Sequence, residues 1–303
     1  MSVQITNLTK LYGEQKAVDN ISFSVAKGEI VGFLGPNGAG KSTTMKIATC
    51  FIPPTLGEIK VCGFDVTKQA LEVKKRVGYL PEHNPLYTEM YIKEYLHFIG
   101  SLYGLHGKVL DAKVAEMIKI TGLSPEKHKK IGELSKGYRQ RTGLAAALIH
   151  NPEVLILDEP TTGLDPNQVV EIRQLIKEIG KEKTVILSTH IMQEVEAMCS
   201  RVIIINQGKI VADNSVSNIA ETVVQKAFKI VLQFENNVQI ADLQMIENVE
   251  SIKELGNIKF ELIATKDIRN QLFKLASERN WSLVELKLEE TTLESVFQQL
   301  TKI

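Results

Sequence analysis

Residues 30–43 read IVGFLGPNGAGKST, and no other stretch of the chain restricts its fold as tightly. A short apolar run leads straight into a glycine-rich loop and then into a segment of helical character, the order of buried strand, turn and helix. In the loop, Gly35-Pro36-Asn37-Gly38-Ala39-Gly40-Lys41-Ser42-Thr43, the three glycines let the backbone wrap closely. Successive N–H groups and the start of the following helix then point at phosphate oxygens. Lys41 is placed to reach β- and γ-phosphates, and the Ser42 hydroxyl to ligate Mg²⁺. An accidental glycine-rich turn would satisfy neither the full spacing nor the setting, so the loop predicts a nucleotide site.

A second apolar run, Val154-Leu155-Ile156-Leu157, ends in Asp158-Glu159. This places two carboxylates at the C-terminal end of a buried strand, where nucleotide sites of open α/β sheets lie. Asp158 is expected to bind Mg²⁺ through water, and Glu159 to orient or deprotonate an attacking water. Standing alone, such a pair would read as a strand ending in solvent; the phosphate loop gives it chemistry.

Between these motifs lies Leu134-Ser135-Lys136-Gly137-Tyr138-Arg139-Gln140-Arg141. It resembles the signature of the ABC ATPase family, usually LSGGQ, with Lys136 in place of a glycine and Tyr138 in place of the glutamine. The resemblance implies that ATP is bound and hydrolysed between two subunits, with Ser135 and Gly137 contacting the γ-phosphate held by the facing subunit. Further positions follow in the family's order. Tyr12 in KLYG resembles the aromatic that stacks on adenine. Gly163-Leu164-Asp165 resembles the loop that links the subunits, which places Asp165 against the opposite phosphate loop. His190 in LSTHIM resembles the histidine that hydrogen-bonds the γ-phosphate. In GYLPE, Glu82 stands where the family has a glutamine that senses Mg²⁺ and the attacking water. An oxygen of Glu82 can still ligate Mg²⁺, but it adds negative charge beside phosphate.

The resemblance covers roughly residues 2–220 and implies a P-loop α/β fold of ABC type: a mixed core sheet, an antiparallel β subdomain and a helical subdomain at about 88–145. The sequence supports each part. Residues 3–8 and 21–25 alternate as half-buried strands. Helical spacing runs through 89–103 and 114–120, then through 144–149 and 168–179, while strands fall at 185–187 and 201–205 before a hairpin return at 210–212. We place the nucleotide-binding domain at 1–221 and a small α+β domain at 222–303, with strands at 228–234 and 283–288, helices at 268–277 and 291–300, and Trp281 as a core or interface anchor. The helical region and LESVFQQLT near the C-terminus resemble drug-exporter-type subunits, the nearest resemblance being to the gliding-motility-associated ATP-binding subunit.

The partners implied are a second ABC ATPase subunit, as a homodimer, and a polytopic membrane permease that holds the chain at the inner face of the membrane. No apolar run reaches the ~20 residues needed to span a bilayer, so a membrane role must come through a partner. Lys plus Arg and Asp plus Glu both number 36, which argues against a chain built to coat nucleic acid. A soluble ABC ATPase acting on nucleic acid or the ribosome is the alternative class; the chain has neither its usual sustained heptads nor an excess of basic charge. Three cysteines without C-x-x-C spacing suggest neither a disulfide framework nor a zinc site, and suit a reducing cytosol.

Overall fold

The computed structural model of the chain describes residues 1–218, 228–236, 238–289, 297 and 301. Its contacts divide it into two compact units, residues 1–216 and 217–302. The first unit opens with β1 (Val3–Tyr12) and β2 (Gln15–Val25), then β3 (Ile30–Leu34) and α1 (Lys41–Ala48). There follow β4 (Leu56–Val61), β5 (Phe64–Asp65), α2 (Ala70–Lys74), β6 (Val77–Leu80), α3 (Ile92–Leu102), α4 (Gly107–Ile120) and α5 (Lys136–Leu148). It closes with β7 (Val154–Asp158), α6 (Pro166–Gly180), β8 (Thr184–Thr189), α7 (Met192–Met198), β9 (Arg201–Asn206) and β10 (Lys209–Ser215).

Two sheets form from these strands, and their burial explains the two sequence patterns. The antiparallel sheet, in order β2-β1-β4-β5, alternates buried and exposed positions along β1 and β2. The other sheet runs β10-β9-β3-β8-β7-β6 and is parallel except for β10. Every residue of β7 and β8 is buried, as continuous apolar runs covered on both faces require. Register then decides what meets at the sheet's C-terminal edge. Leu34 pairs with Thr189, and Asp158 pairs with Ser188. The residues that follow, Gly35, His190 and Glu159, therefore leave the sheet side by side.

Two helices are longer than their sequence periodicity suggested. The helix expected from residue 114 is α4, which starts at Gly107 because Leu110, Val114, Met117 and Ile118 form one buried stripe. The segment expected at 144–149 is the end of α5, which begins at Lys136 directly after its cap, Ser135.

The second unit is built from β11 (Phe228–Phe234), a helix Ile240–Gln244, β12 (Val249–Gly256), β13 (Lys259–Ala264), a helix Arg269–Glu278 and β14 (Leu283–Glu289). Its antiparallel sheet has the order β12-β13-β11-β14, which with its two helices is the ferredoxin-like βαββαβ arrangement. Leu243, Leu272 and Ala276 from the helices meet Ile230, Leu232, Phe260 and Leu262 of the sheet in one apolar core. Trp281 packs edge-on against Phe234 at 5.5 Å beside that core. Of the helix expected at 291–300, all but Phe297 lies outside the described residues.

Candidate nucleotide site

The loop after β3 threads a gap that only glycine fits at two positions. A Cβ on Gly35 would strike the carbonyl oxygen of Ile205, and one on Gly40 that of Ala17. Gly40 also has φ 108°, a left-handed conformation costly for any other residue. As the N-cap of α1 it offers no side chain to the helix start, so the first-turn amides keep their capacity for an anion. The loop is pinned to the sheet by the Gly35 N–H, which donates to the Thr189 carbonyl at 3.3 Å.

Lys41 lies at the mouth of this loop, its ammonium donating to the carbonyls of Gly35 at 2.8 Å and Pro36 at 3.2 Å. It stands 3.7 Å from Glu159 Oε1, and both side chains are only 6% exposed. Burial lowers the Lys41 pKa, while the charges of Glu159 and Asp158 oppose that shift. The lysine is thus poised in a partly desolvated cradle where an anion would be welcome.

Glu159 adopts φ 51°, a strained choice for a residue with a long side chain. Its N–H donates to the Ser188 carbonyl at 2.9 Å, and this turn brings the carboxylate across the edge of the sheet. There both of its oxygens lie 2.9 Å from His190 Nδ1, and Thr162 Oγ1 donates to Oε2 at 3.2 Å. An ionised carboxylate only accepts, so in this pair Nδ1 carries the hydrogen. Asp158, 2% exposed, has an Oδ1 with no hydrogen-bond partner, an expensive state that a cation would relieve.

A cleft of 540 Å³ collects these groups. Tyr12, Asn37, Gly38, Gly40, Lys41, Ser42, Thr43, Glu82, Glu159 and His190 line it, and so do Gln15 and Thr162. A neighbouring cleft of 240 Å³ shares Ser42 and Glu82 and adds Asp158, Tyr79 and Phe51. Ala39 is buried behind the loop. Tyr12 is half exposed, with the Lys10 ammonium 5.4 Å from its ring centroid. The sequence patterns did not single out Gln15 or Thr162; the signal for Thr162 was its place three residues after Glu159, in the turn that follows β7.

Of the expected residues away from the phosphate loop, Ser135, Gly137 and Asp165 line neither cleft. They sit instead at two helix starts that touch each other. Ser135 caps α5, accepting from the Tyr138 N–H at 3.4 Å, and Asp165 caps α6, accepting from the Gln168 N–H at 3.0 Å. The Gln168 side chain covers Gly137, where a Cβ would approach it to 2.6 Å, and Lys136 Nζ covers Gly163 in the same way.

Comparison with known proteins adds to this geometry. The ABC transporter family model matches residues 18–162, and an AAA domain model matches residues 130–196. The bacitracin transport ATP-binding protein BcrA of Bacillus licheniformis is 34% identical over 98% of this chain and 96% of its own length. The linearmycin resistance ATP-binding protein LnrL of Bacillus subtilis (strain 168) is 34% identical over 99% of this chain and 98% of its own. Among solved structures, a dimeric post-hydrolysis state of the ATP-binding cassette MJ0796, bound to ADP and Pi, is similar at a TM-score of 0.65 and 27% identity, covering 70% of this chain and 98% of that one. With its phosphate loop, its carboxylate at the end of β7 and full-length likeness to such relatives, the chain belongs to the ABC transporter family, as an ATP-binding subunit that hydrolyses ATP.

Proposed function

We propose that two copies of the chain sandwich ATP, and that closing and reopening of this dimer drives an export permease from the inner face of a membrane. The observation that carries the reading is the division of the site. One cleft gathers the phosphate loop, Glu159 and His190, while Ser135 and Asp165 stand exposed outside it at two helix starts, with Gly137 buried beside them under Gln168. In a two-fold dimer those helix starts would face the partner's nucleotide, as isologous contacts allow. ATP would then touch both halves only when they are closed, and so would stabilise that state selectively.

Within one half, the loop amides and Lys41 would hold the phosphates, and Tyr12 the base. Phosphate oxygens in the loop would draw Lys41 away from Glu159, leaving that carboxylate free to accept a proton from water while His190 keeps it oriented. Mg²⁺ would be held by Ser42, Asp158 and Glu82; the orphaned Asp158 oxygen supports this donor set. Among the described residues no three acidic, His or Cys side chains form a metal site alone, which suits an ion completed by phosphate oxygens. Bound there, it supplies neutralisation of the charge on those oxygens.

Among the described residues no helix is long and apolar enough to cross a membrane. The support for a permease partner is a group of exposed aromatics near the Glu82 loop: Phe51 at 71%, Tyr87 at 54%, and Phe98, whose ring lies 5.7 Å from that of Tyr87. Likeness to a relative named for Nod factor export, together with those named for bacitracin transport and linearmycin resistance, supports export. The test is Glu159→Gln. We expect it to keep ATP affinity within about threefold, lose about 10²- to 10⁴-fold in turnover and accumulate an ATP-dependent dimer in size-exclusion chromatography. Normal turnover in this variant would remove Glu159 from the role of base.

A further inference from the structure

We propose that Glu194 is a positioning residue for hydrolysis, its carboxylate tying the segment that carries Glu159 to the segment that carries His190. Glu194 lies in the first turn of α7 and is 1% exposed. It does not line the nucleotide cleft, so it acts through other groups. One of its oxygens accepts from Thr161 Oγ1 and the other from Thr189 Oγ1, the latter at 2.7 Å. Thr161 stands two residues after Glu159, and Thr189 directly precedes His190.

The bonding around Thr189 makes the arrangement directional. Its Oγ1 accepts from the Ile191 N–H at 3.1 Å, so its own hydrogen is free for Glu194. Its carbonyl receives the Gly35 N–H of the phosphate loop. A single carboxylate thereby joins the segments bearing the phosphate loop, the base and the histidine. Neither hydrogen-bond partner is a cation; Arg173, whose Nε is buried without a partner, acts on Glu194 only through its charge, and Glu159 does so in the opposite sense. Holding an acid in this setting is costly. Packing alone would be served better by an apolar side chain. Two acceptors facing two hydroxyl hydrogens are what a carboxylate adds, and they fix the relative placement of Glu159 and His190, which meet at 2.9 Å.

The inference rests on Glu159 and His190 acting as proposed above, and the test separates the two. Steady-state ATPase kinetics of the full chain would be measured for Glu194→Ala, Glu194→Gln, Thr161→Val and Glu159→Gln, with a fluorescent non-hydrolysable ATP analogue reporting binding. In Glu194→Ala, kcat is expected to fall about 10- to 100-fold while KM stays within about threefold. Glu194→Gln keeps the shape and one acceptor and is expected to recover most of that loss. Thr161→Val should lower kcat in the same sense, and adding it to Glu194→Ala should cost little more; it also keeps the test alive should Glu194→Ala fold poorly. Wild-type kcat in Glu194→Ala or, if that variant does not fold, in Thr161→Val overturns the proposal. So does an equal loss in the Ala and Gln variants. Full turnover in Glu159→Gln would instead overturn the reading on which it rests.

Discussion

The two units of this chain bury different things. Among the described residues, every buried polar or charged side chain lies in the first unit, and several cluster at one edge of the six-stranded sheet: Lys41, Asp158, Glu159, Ser188, Thr189 and Glu194. The second unit buries apolar side chains only, and its charges run across the strands as half-exposed pairs such as Lys229 with Glu261 and Lys259 with Glu285. Polar burial is unfavourable unless something compensates it. In the first unit part of the compensation is missing from the chain itself: Asp158 Oδ1 and Ser188 Oγ have no partner, and Glu159 holds a left-handed backbone. A site that binds an anion and its counter-ion would supply what is missing. Among its described residues the second unit leaves no buried side-chain polar atom without a partner, although Ile258 also holds a left-handed backbone, at φ 57°.

If that contrast is right, damage to the second core should stay there. Phe260, 2% exposed and 6.3 Å from Phe234 between ring centroids, fills the centre of the apolar cluster. Phe260→Ala is expected to destabilise residues 217–302 by about 3–5 kcal/mol. Hydrogen exchange should show the loss confined to β11, β13 and their neighbours, with ATP affinity within about twofold of the parent. A collapse of ATP affinity would mean that the second unit supports the site, and the contrast would break.

The chemistry of the first unit was legible where it demands a fixed backbone. The loop at 35–43 and the strands β3, β7 and β8 were readable because glycine spacing and uninterrupted apolar runs have few other uses. Other features depend on contacts that sequence spacing does not record. Strand β12 is exposed over most of its length, so it shows no alternation, and β6 is only four residues long. Glu194 looks like any acid on a short helix until Thr161, 33 residues away, is seen to donate to it. Likewise Lys136 reads as a departure from the signature, and only the fold shows that it covers Gly163. The orphaned oxygen of Asp158 could not be read at all, since a missing partner is a property of the packed state.

The contrast would sharpen if polar burial in the first unit proves costly away from the nucleotide as well. His150 stacks on Tyr103 at 3.8 Å between ring centroids, and its Nε2 lies 3.1 Å from the Val77 carbonyl, but Nδ1 has no partner. Burial, chiefly, pushes its pKa from 6.5 down to about 4. The folded-state pKa lies below the unfolded one, so the stability this neutral ring contributes is fully present above pH 6.5. It is lost as pH falls towards 4, because the unfolded chain takes up a proton that the folded one refuses. The loss amounts to about 3 kcal/mol. Denaturant unfolding at pH 7 and pH 4 should show a difference smaller by about that amount in His150→Phe, which keeps the stacked ring and cannot be protonated.

The smallest effect expected lies on the open surface of the second unit. Lys259 Nζ and Glu285 Oε2 are 2.7 Å apart, with the two side chains 34% and 36% exposed. They reach from β13 to β14 past Gln233 of β11, which pairs with both positions. Water screens such a pair, and ordering two long side chains offsets part of the attraction, so a double-mutant cycle with Lys259→Ala and Glu285→Ala should return about 0.2–1 kcal/mol. The coupling should shrink further in high salt. A value near that expected for a buried, hydrogen-bonded charge pair would place electrostatics, and not apolar packing, at the centre of this unit. The two units would then differ only in where their charges meet, and the second would have to be considered as a binding surface in its own right.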